Sequence, residues 1–317
     1  MSRLKAALKR AAGLAALPVV AAAAPFYAIA ARTGIGVGLC RRLGFHPMRV
    51  HFYSPVPDYE SVPPEHFTRR QPCPGIALEP ARLERQLESL GRYAGECDWP
   101  ETSQSLGTYH WQNEMFGYSS AVLLHSIIRV NGSRRVIEVG GGYSSLISLA
   151  ALRRNGADFS FTCVEPYPRA WLAKAIAAAG GTLVRAPVQT LPPGFFDALD
   201  AGDLLFIDSS HVAKLASDVN RLFLEVLPAL RRGVLVHVHD IYIPYEYPAQ
   251  HFHSGQQIFW NEQYLLQAML SANPAYEVVM PAFLVQTELD ARFRAAFPGY
   301  DPACHRRSSS FYFRKAA

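Results

Sequence analysis

The residues in this chain that could do chemistry stand at the ends of apolar runs. The first run, VIEVGGGYSS over residues 136–145, stops in Gly140, Gly141 and Gly142 and opens a helix near Ser144. Glycine has no Cβ to hold a ligand off, so backbone N–H groups in such a turn approach a bound molecule closely. This suits a nucleotide-type cofactor. Glu165 closes the next apolar run, FSFTCVE. An acid one strand–helix–strand unit after a glycine turn can accept hydrogen bonds from both hydroxyls of a ribose. A dinucleotide fingerprint would put glycine where Ser145 stands, so an adenosine-bearing cofactor without that demand fits better. Glu138 lies inside the first run, where a buried carboxylate needs a partner. A cofactor ammonium would be one.

Two further runs end in acids and imidazoles. LLFID ends in Asp208, with His211 three residues on, and VLVHVHD ends in His239 and Asp240. Asp208 and Asp240 are separated by one helix and one strand, so both would end neighbouring strands. Carboxylate oxygens with an imidazole suit magnesium or manganese. The alternative is that Asp208 serves only the cofactor while His211 and His239 hydrogen-bond the backbone. An unperturbed imidazole titrates near neutrality, so His211 and His239 are also the candidate bases for removing a proton from an acceptor. His237 shares strand parity with His239 but lies further inside, a structural position.

The elements that must bring these ends together alternate regularly. Near-continuous apolar strands (VIEV, FSFTCV, TLV, DLLFI, VLVHV) are interleaved with helical stretches, as a parallel sheet covered on both faces requires. The expected class is α/β, a doubly wound, mostly parallel Rossmann-like sheet of seven strands, with PAFLVQ and SSSFYFRK as closing strands. Residues 108–130 predict a helix leading into the first strand, and Val212, Leu215, Val219, Leu222 and Val226 predict one face of a helix after the fourth. Tyr109, Trp111, Asn113 and Phe116 form either a packed cluster or a lid over cofactor or acceptor. ARLERQLESLGRY predicts an amphipathic helix on Leu83, Leu87 and Leu90.

Taken together, EVGGG, VEPY, LLFIDSSH and GVLVHVHDI over residues 134–245 resemble a class I S-adenosylmethionine-dependent methyltransferase. IDSSH, a following helix that carries Asp218 and a strand ending in His-Asp are similar to the macrocin-type O-methyltransferase branch. The resemblance implies S-adenosylmethionine as cofactor, with Glu138 and the turn Gly140, Gly141 and Gly142 at its methionine part. Glu165 would meet the ribose and Asp208 the edge of the site. It also implies methyl transfer to a hydroxyl of a sugar or other small-molecule or glycan acceptor, with Asp208 and Asp240 as ligands of a magnesium or manganese ion and His211, His239 and Asp240 as the catalytic set. VRAPVQT, after the third strand, lacks the acid that often meets the adenine amine. The aromatic insertion 242–267 is where acceptor specificity would lie. There Tyr242, Tyr245, Tyr247, His251, His253 and Trp260 could stack on a ring, and Asn261 with Glu262 could bind hydroxyls; the alternative is an aromatic loop tucked against the sheet.

The rest of the chain narrows the class. Half of its residues are hydrophobic and 18% charged, which argues against extensive disorder. The net charge of +5 is not a nucleic-acid signal, because eight Lys/Arg precede the first acid, Asp58, and the remainder is slightly acidic. Five scattered cysteines without a CxxC pair argue against a disulfide framework or zinc knuckle. Residues 11–31 carry no charge and are long enough to cross a bilayer, flanked by Arg3, Lys5, Lys9 and Arg10 on one side and Arg32, Arg41, Arg42 and Arg49 on the other. A signal peptide, an anchor, an interfacial segment and a helix docked on the protein all fit. The expected organisation is a basic and apolar segment 1–45 with possible membrane contact through 1–35, an ordered arm 46–107, and a methyltransferase domain 108–317. An enzyme using a cytoplasmic cofactor would sit in the cytoplasm or at the inner face of the membrane. The competing reading is a non-catalytic, membrane-associated scaffold that keeps the cofactor fold.

Overall fold

Runs of five or fewer strongly apolar residues are too short for independent helices and satisfy their backbone polar groups by pairing side by side. The computed structural model describes residues 2–105, 107–253 and 258–317, so part of the insertion, residues 254–257, lies outside the described residues. The chain divides into two compact units, Met1–Pro63 and Pro64–Ala317.

In the first unit, α1 (Ser2–Thr33) takes in the whole uncharged run without a break at Pro18 or Pro25. Gly34 and Gly36 separate it from α2 (Val37–Arg42).

The second unit begins with α3 (Pro80–Gly91), which buries Leu83, Leu87 and Leu90 as their spacing predicts. Next come α4 (Tyr118–Val130), β1 (Arg135–Val139), α5 (Tyr143–Asn155), β2 (Ser160–Val164), α6 (Ala170–Ala178), β3 (Thr182–Val184) and β4 (Leu204–Ile207). A helix then runs from α7 (Asp218–Arg221) through a widened turn, Leu222–Val226, into α8 (Leu227–Ala229). The chain closes with β5 (Leu235–Val238), α9 (Ala249–His253), α10 (Glu262–Leu270), β6 (Tyr276–Pro281), α11 (Ala282–Glu288), α12 (Asp290–Ala296) and β7 (Phe311–Lys315).

The seven strands form one sheet in the order β3-β2-β1-β4-β5-β7-β6. The first five are parallel and β7 is antiparallel to both its neighbours, the doubly wound class expected. Pairing aligns Cys163, Glu138, Phe206, His237 and Tyr312 in one row across the sheet. Side chains alternate along a strand, so two residues further on the same face meets Glu165, Gly140, Asp208 and His239 at the carboxyl edge. Glu165, Gly140, Asp208 and His239 thus share one face and one edge, with His211 and Asp240 in the loops that follow.

Three local expectations change. The helix over 108–130 starts only at Tyr118, because the Asn113 amide accepts from Phe116 N–H and donates to the His110 and Phe116 carbonyls, closing a turn ahead of it. The helix after β4 starts at Asp218: Ser217 Oγ caps it from the N–H of Asn220, and His211 and Ala216 have left-handed backbones before it. Leu215 is 97% exposed instead of facing the core. Within PAFLVQ, Ala282 to Gln286 belong to α11, and the edge strand is the preceding β6. Ala282, Leu284, Val285 and Gln286 are all buried, so the run carries no period that tells strand from helix.

Candidate active site

The glycine turn is built by close packing. Gly140 ends β1 at φ 83, and a Cβ there would overlap the carbonyl oxygen of Asp208 at the end of β4. Beside it, a Cβ on Gly141 would run into Cys163 Sγ. Gly142 faces open space, with nothing within 4 Å of a Cβ added to it. The turn therefore binds β1, β2 and β4 together on one side and leaves the other side accessible to a ligand. Glu165 braces it: one carboxylate oxygen accepts from Gly141 N–H at 3.3 Å and the other from Tyr167 N–H at 2.7 Å.

Glu138 is fully buried under this turn. Ser144 Oγ donates to its Oε1, while Oε2 has no hydrogen-bond partner among the described residues. Burial pushes its carboxyl up to about 8, and the charges of Asp208 and Glu165 act in the same direction. A buried carboxyl with one unpaired oxygen below an open turn fits a ligand that brings a positive group.

On the other side of Asp208 the structure gathers Asp208, His211 and Asp240, each offering one ligand atom, all within 4.8 Å of one another. His211 Nε2 stands 3.2 Å from Asp208 Oδ1 and 3.7 Å from Asp240 Oδ2. Ligands about 2.1 Å from a common magnesium-sized ion and at right angles are about 3 Å apart, so these spacings fit a divalent cation with small adjustment. His211 and Asp240 both hold left-handed backbones, φ 59 and 57, a costly conformation for residues with a Cβ that tends to persist at functional sites. Burial alone would lower the His211 imidazole. The Asp208 and Glu262 carboxylates outweigh that and hold it well above its usual range. Burial likewise works against Asp208, but the His211 hydrogen bond and the charges of His239 and His211 keep its carboxyl below normal.

No local sequence signal points to what holds His211. Glu262, at the start of α10, is fully buried and accepts from His211 Nδ1 at 2.8 Å and from Ser209 Oγ at 2.7 Å. The His211 carbonyl accepts from the N–H groups of Asn261 and Glu262, and Asn261 Oδ1 accepts from Ala213 N–H. The Glu262 carboxylate is therefore taken up inside the protein, while Asn261 is partly exposed and commits only its Oδ1 to the loop. With Nδ1 held by Glu262, Nε2 faces the two aspartates, the edge a metal-binding imidazole would present once a cation displaces its proton. Ser309 Oγ plays the same part for Asp240, donating to Oδ1 at 2.6 Å.

His239 is buried beside Phe116, with ring centroids 5.2 Å apart. Its Nδ1 is 3.4 Å from Ser310 Oγ and its Nε2 3.9 Å from Asp240 Oδ1. His237 lies deeper, stacked on Tyr312 at 4.3 Å and edge-on to Phe206, both nitrogens without a hydrogen-bond partner among the described residues and its imidazole held neutral by burial. Tyr109, Trp111 and Phe116 are buried and packed, with Tyr109 Oη donating to the Phe116 carbonyl. In the insertion, Tyr247 is fully buried and accepts from Gln263 N–H, whereas Trp260 lies partly exposed on the His211 ring, centroids 4.3 Å apart.

Residues 137–241, from inside β1 to just past Asp240, match the family model described as a methyltransferase domain. The chain carries a methyltransferase domain. An uncharacterized protein of Archaeoglobus fulgidus is 30% identical to this chain over 159 residues, 47% of this chain and 72% of that one. Among solved structures, a methyltransferase of Podospora anserina bound to S-adenosylhomocysteine is 14% identical, covering 73% of this chain and 88% of its own at a TM-score of 0.41. The plantazolicin methyltransferase BamL, solved with a desmethyl analogue and S-adenosylhomocysteine, is 10% identical and covers 74% of this chain and 98% of its own, TM-score 0.39. At these identities and scores neither solved structure lends weight to a particular acceptor. The methyltransferase domain takes in Glu138, the glycine turn, Glu165, Asp208, His211, His239 and Asp240, while Glu262 and Ser309 lie beyond the matched stretch.

Proposed function

We propose that the chain is an S-adenosylmethionine-dependent O-methyltransferase acting on a hydroxyl of a sugar or other small-molecule acceptor, assisted by magnesium or manganese. One observation carries this reading: Asp208 is shared. Its backbone closes the glycine turn and its carboxylate belongs to the Asp208–His211–Asp240 cluster, so a donor pocket and an acceptor-side cation site meet at one residue. A non-catalytic scaffold gives no reason to keep two strained residues, His211 and Asp240, in such a cluster.

When bound, S-adenosylmethionine supplies an electrophilic methyl group and the cation lowers the proton affinity of the acceptor oxygen. The protein's own part is positioning and proton handling. The Gly140–Gly142 backbone and Glu138 hold the methionine end, and the Glu165 carboxylate faces the ribose. Asp208, His211 and Asp240 hold the cation, with Glu262 and Ser309 keeping His211 and Asp240 in place. His211 is then a ligand, which leaves His239 as the base that takes the acceptor proton. Trp260, partly exposed beside His211, contacts the acceptor. Because the methyl donor is made and held in the cytoplasm, the domain works there.

The direct test incubates the protein with S-adenosylmethionine and an extract of hydroxylated acceptors and looks for a product heavier by one methylene, about 14 Da. Chelation with EDTA should abolish the product, and magnesium or manganese should restore it. Full activity in EDTA would refute the cation assignment, and no product together with no binding of S-adenosylmethionine at millimolar concentration would refute the donor assignment.

A further inference from the structure

We propose that α1 crosses a lipid bilayer as a single span over Gly13–Thr33, with residues 34–53 resting at the lipid–water boundary; this rests on the first unit alone and not on the methyl-transfer reading. The span has 21 residues with a mean hydropathy of 1.9. At 1.5 Å per residue it is about 31 Å long, the thickness of a bilayer's hydrocarbon core.

A helix apolar on every side belongs in a protein core or in a membrane, whereas a helix lying flat on a membrane keeps a polar face. Leu14, Leu17, Val19, Val20, Phe26, Tyr27 and Ile29 are all exposed, so a core is not their place. At about 100° per residue these seven fall on every side of the helix, so no polar face remains for water. Pro18 and Pro25 sit inside the helix without ending it, a combination tolerated in membrane spans.

The segment after the span is suited to head groups. Arg32, Arg41, Arg42 and Arg49 offer charge to anionic lipid, and Phe45, Phe52 and Tyr53 are exposed aromatics of the kind that collect at membrane boundaries. Tyr27 and Phe45 pack at 5.5 Å, which draws this segment back beside the final turns of α1. The rings of His51, Phe52 and Tyr53 pack together at tilted angles, with His51–Phe52 and Phe52–Tyr53 centroids 4.2 Å apart.

The test uses the full chain. Membranes from producing cells are washed with alkaline carbonate, and protein purified in mild detergent is reconstituted with phosphatidylcholine–phosphatidylglycerol vesicles and floated on a density gradient. The wild type should stay in the washed membranes and float. In the double variant Val20→Arg/Ala23→Arg, two charges near mid-span should lower the membrane-retained share at least about tenfold, while the circular dichroism of the soluble protein keeps its α/β signature. Release of the wild type by carbonate, or equal retention of the variant, would overturn the span. So would an intact mass showing that the mature chain has lost α1, which would make the helix a removed leader.

Discussion

Glu138 holds a proton that it would release in the unfolded chain, since burial lifts its carboxyl from 4.5 to about 8. A carboxyl raised in the folded state favours the protonated form, so this group's effect on stability is nil below about 4.5, grows more unfavourable as the pH rises to about 8, and then levels off. The ligand-free protein should lose up to ~5 kcal/mol across that window from this residue alone. Thermal melts at successive pH values should show the slope, and Glu138→Gln should flatten it; an unchanged slope would place the titration elsewhere. His239 carries a different expectation. Replacing it with Ala should lower turnover by about 10²–10⁴, the usual contribution of a general base, with the S-adenosylmethionine dissociation constant little changed in calorimetry. Retained turnover would rule it out as the base.

At the scale of elements, the site depends on two junctions. The first is β1 to α5, where Gly140 stands at φ 83 against the Asp208 carbonyl. Gly140→Ala adds the cost of a left-handed alanine, about 1 kcal/mol or more, to a backbone overlap that nothing flexible can relieve. A loss of about 3 kcal/mol in urea unfolding is expected, and a loss below ~1 kcal/mol would mean that the turn yields. The second junction fastens the loop after β4 to the start of α10 through Glu262. Glu262→Gln keeps the shape but removes the charge that fixes the proton on His211 Nδ1. Manganese affinity, read by titration calorimetry or electron paramagnetic resonance, should fall about 10–100-fold, while the melting temperature of the metal-free protein moves far less. Unaltered manganese binding would make Glu262 a purely structural residue.

For the whole molecule, ligands that bind only the folded state must raise its stability by mass action. At a hundred times its dissociation constant, S-adenosylmethionine should add about 2.7 kcal/mol, a rise of roughly 5–10 °C in melting temperature for a unit of this size. Manganese should add a further rise that Asp240→Asn abolishes, because that substitution removes a ligand of the cluster without touching the glycine turn. The absence of any shift with S-adenosylmethionine would count against the donor pocket itself.

The sheet, the glycine turn and the strand-end positions of Glu165, Asp208, His239 and Asp240 are legible in the sequence by itself. Apolar runs, a glycine triplet and strand parity are local signals, and local sterics and side-chain alternation act on them wherever the chain goes. The tertiary structure decided what those ends touch. Glu262 reaches His211 across 51 residues and Ser309 reaches Asp240 across 69, pairings that no spacing encodes because they depend on where α10 and β7 return to the sheet. It also decided that the chain after His211 stays irregular until Ser217 caps α7, and that PAFLV turns into a helix once Pro281 has ended β6. An apolar run buried on all sides has no period to read, and a buried carboxylate becomes a partner only when its proton donor has been folded against it.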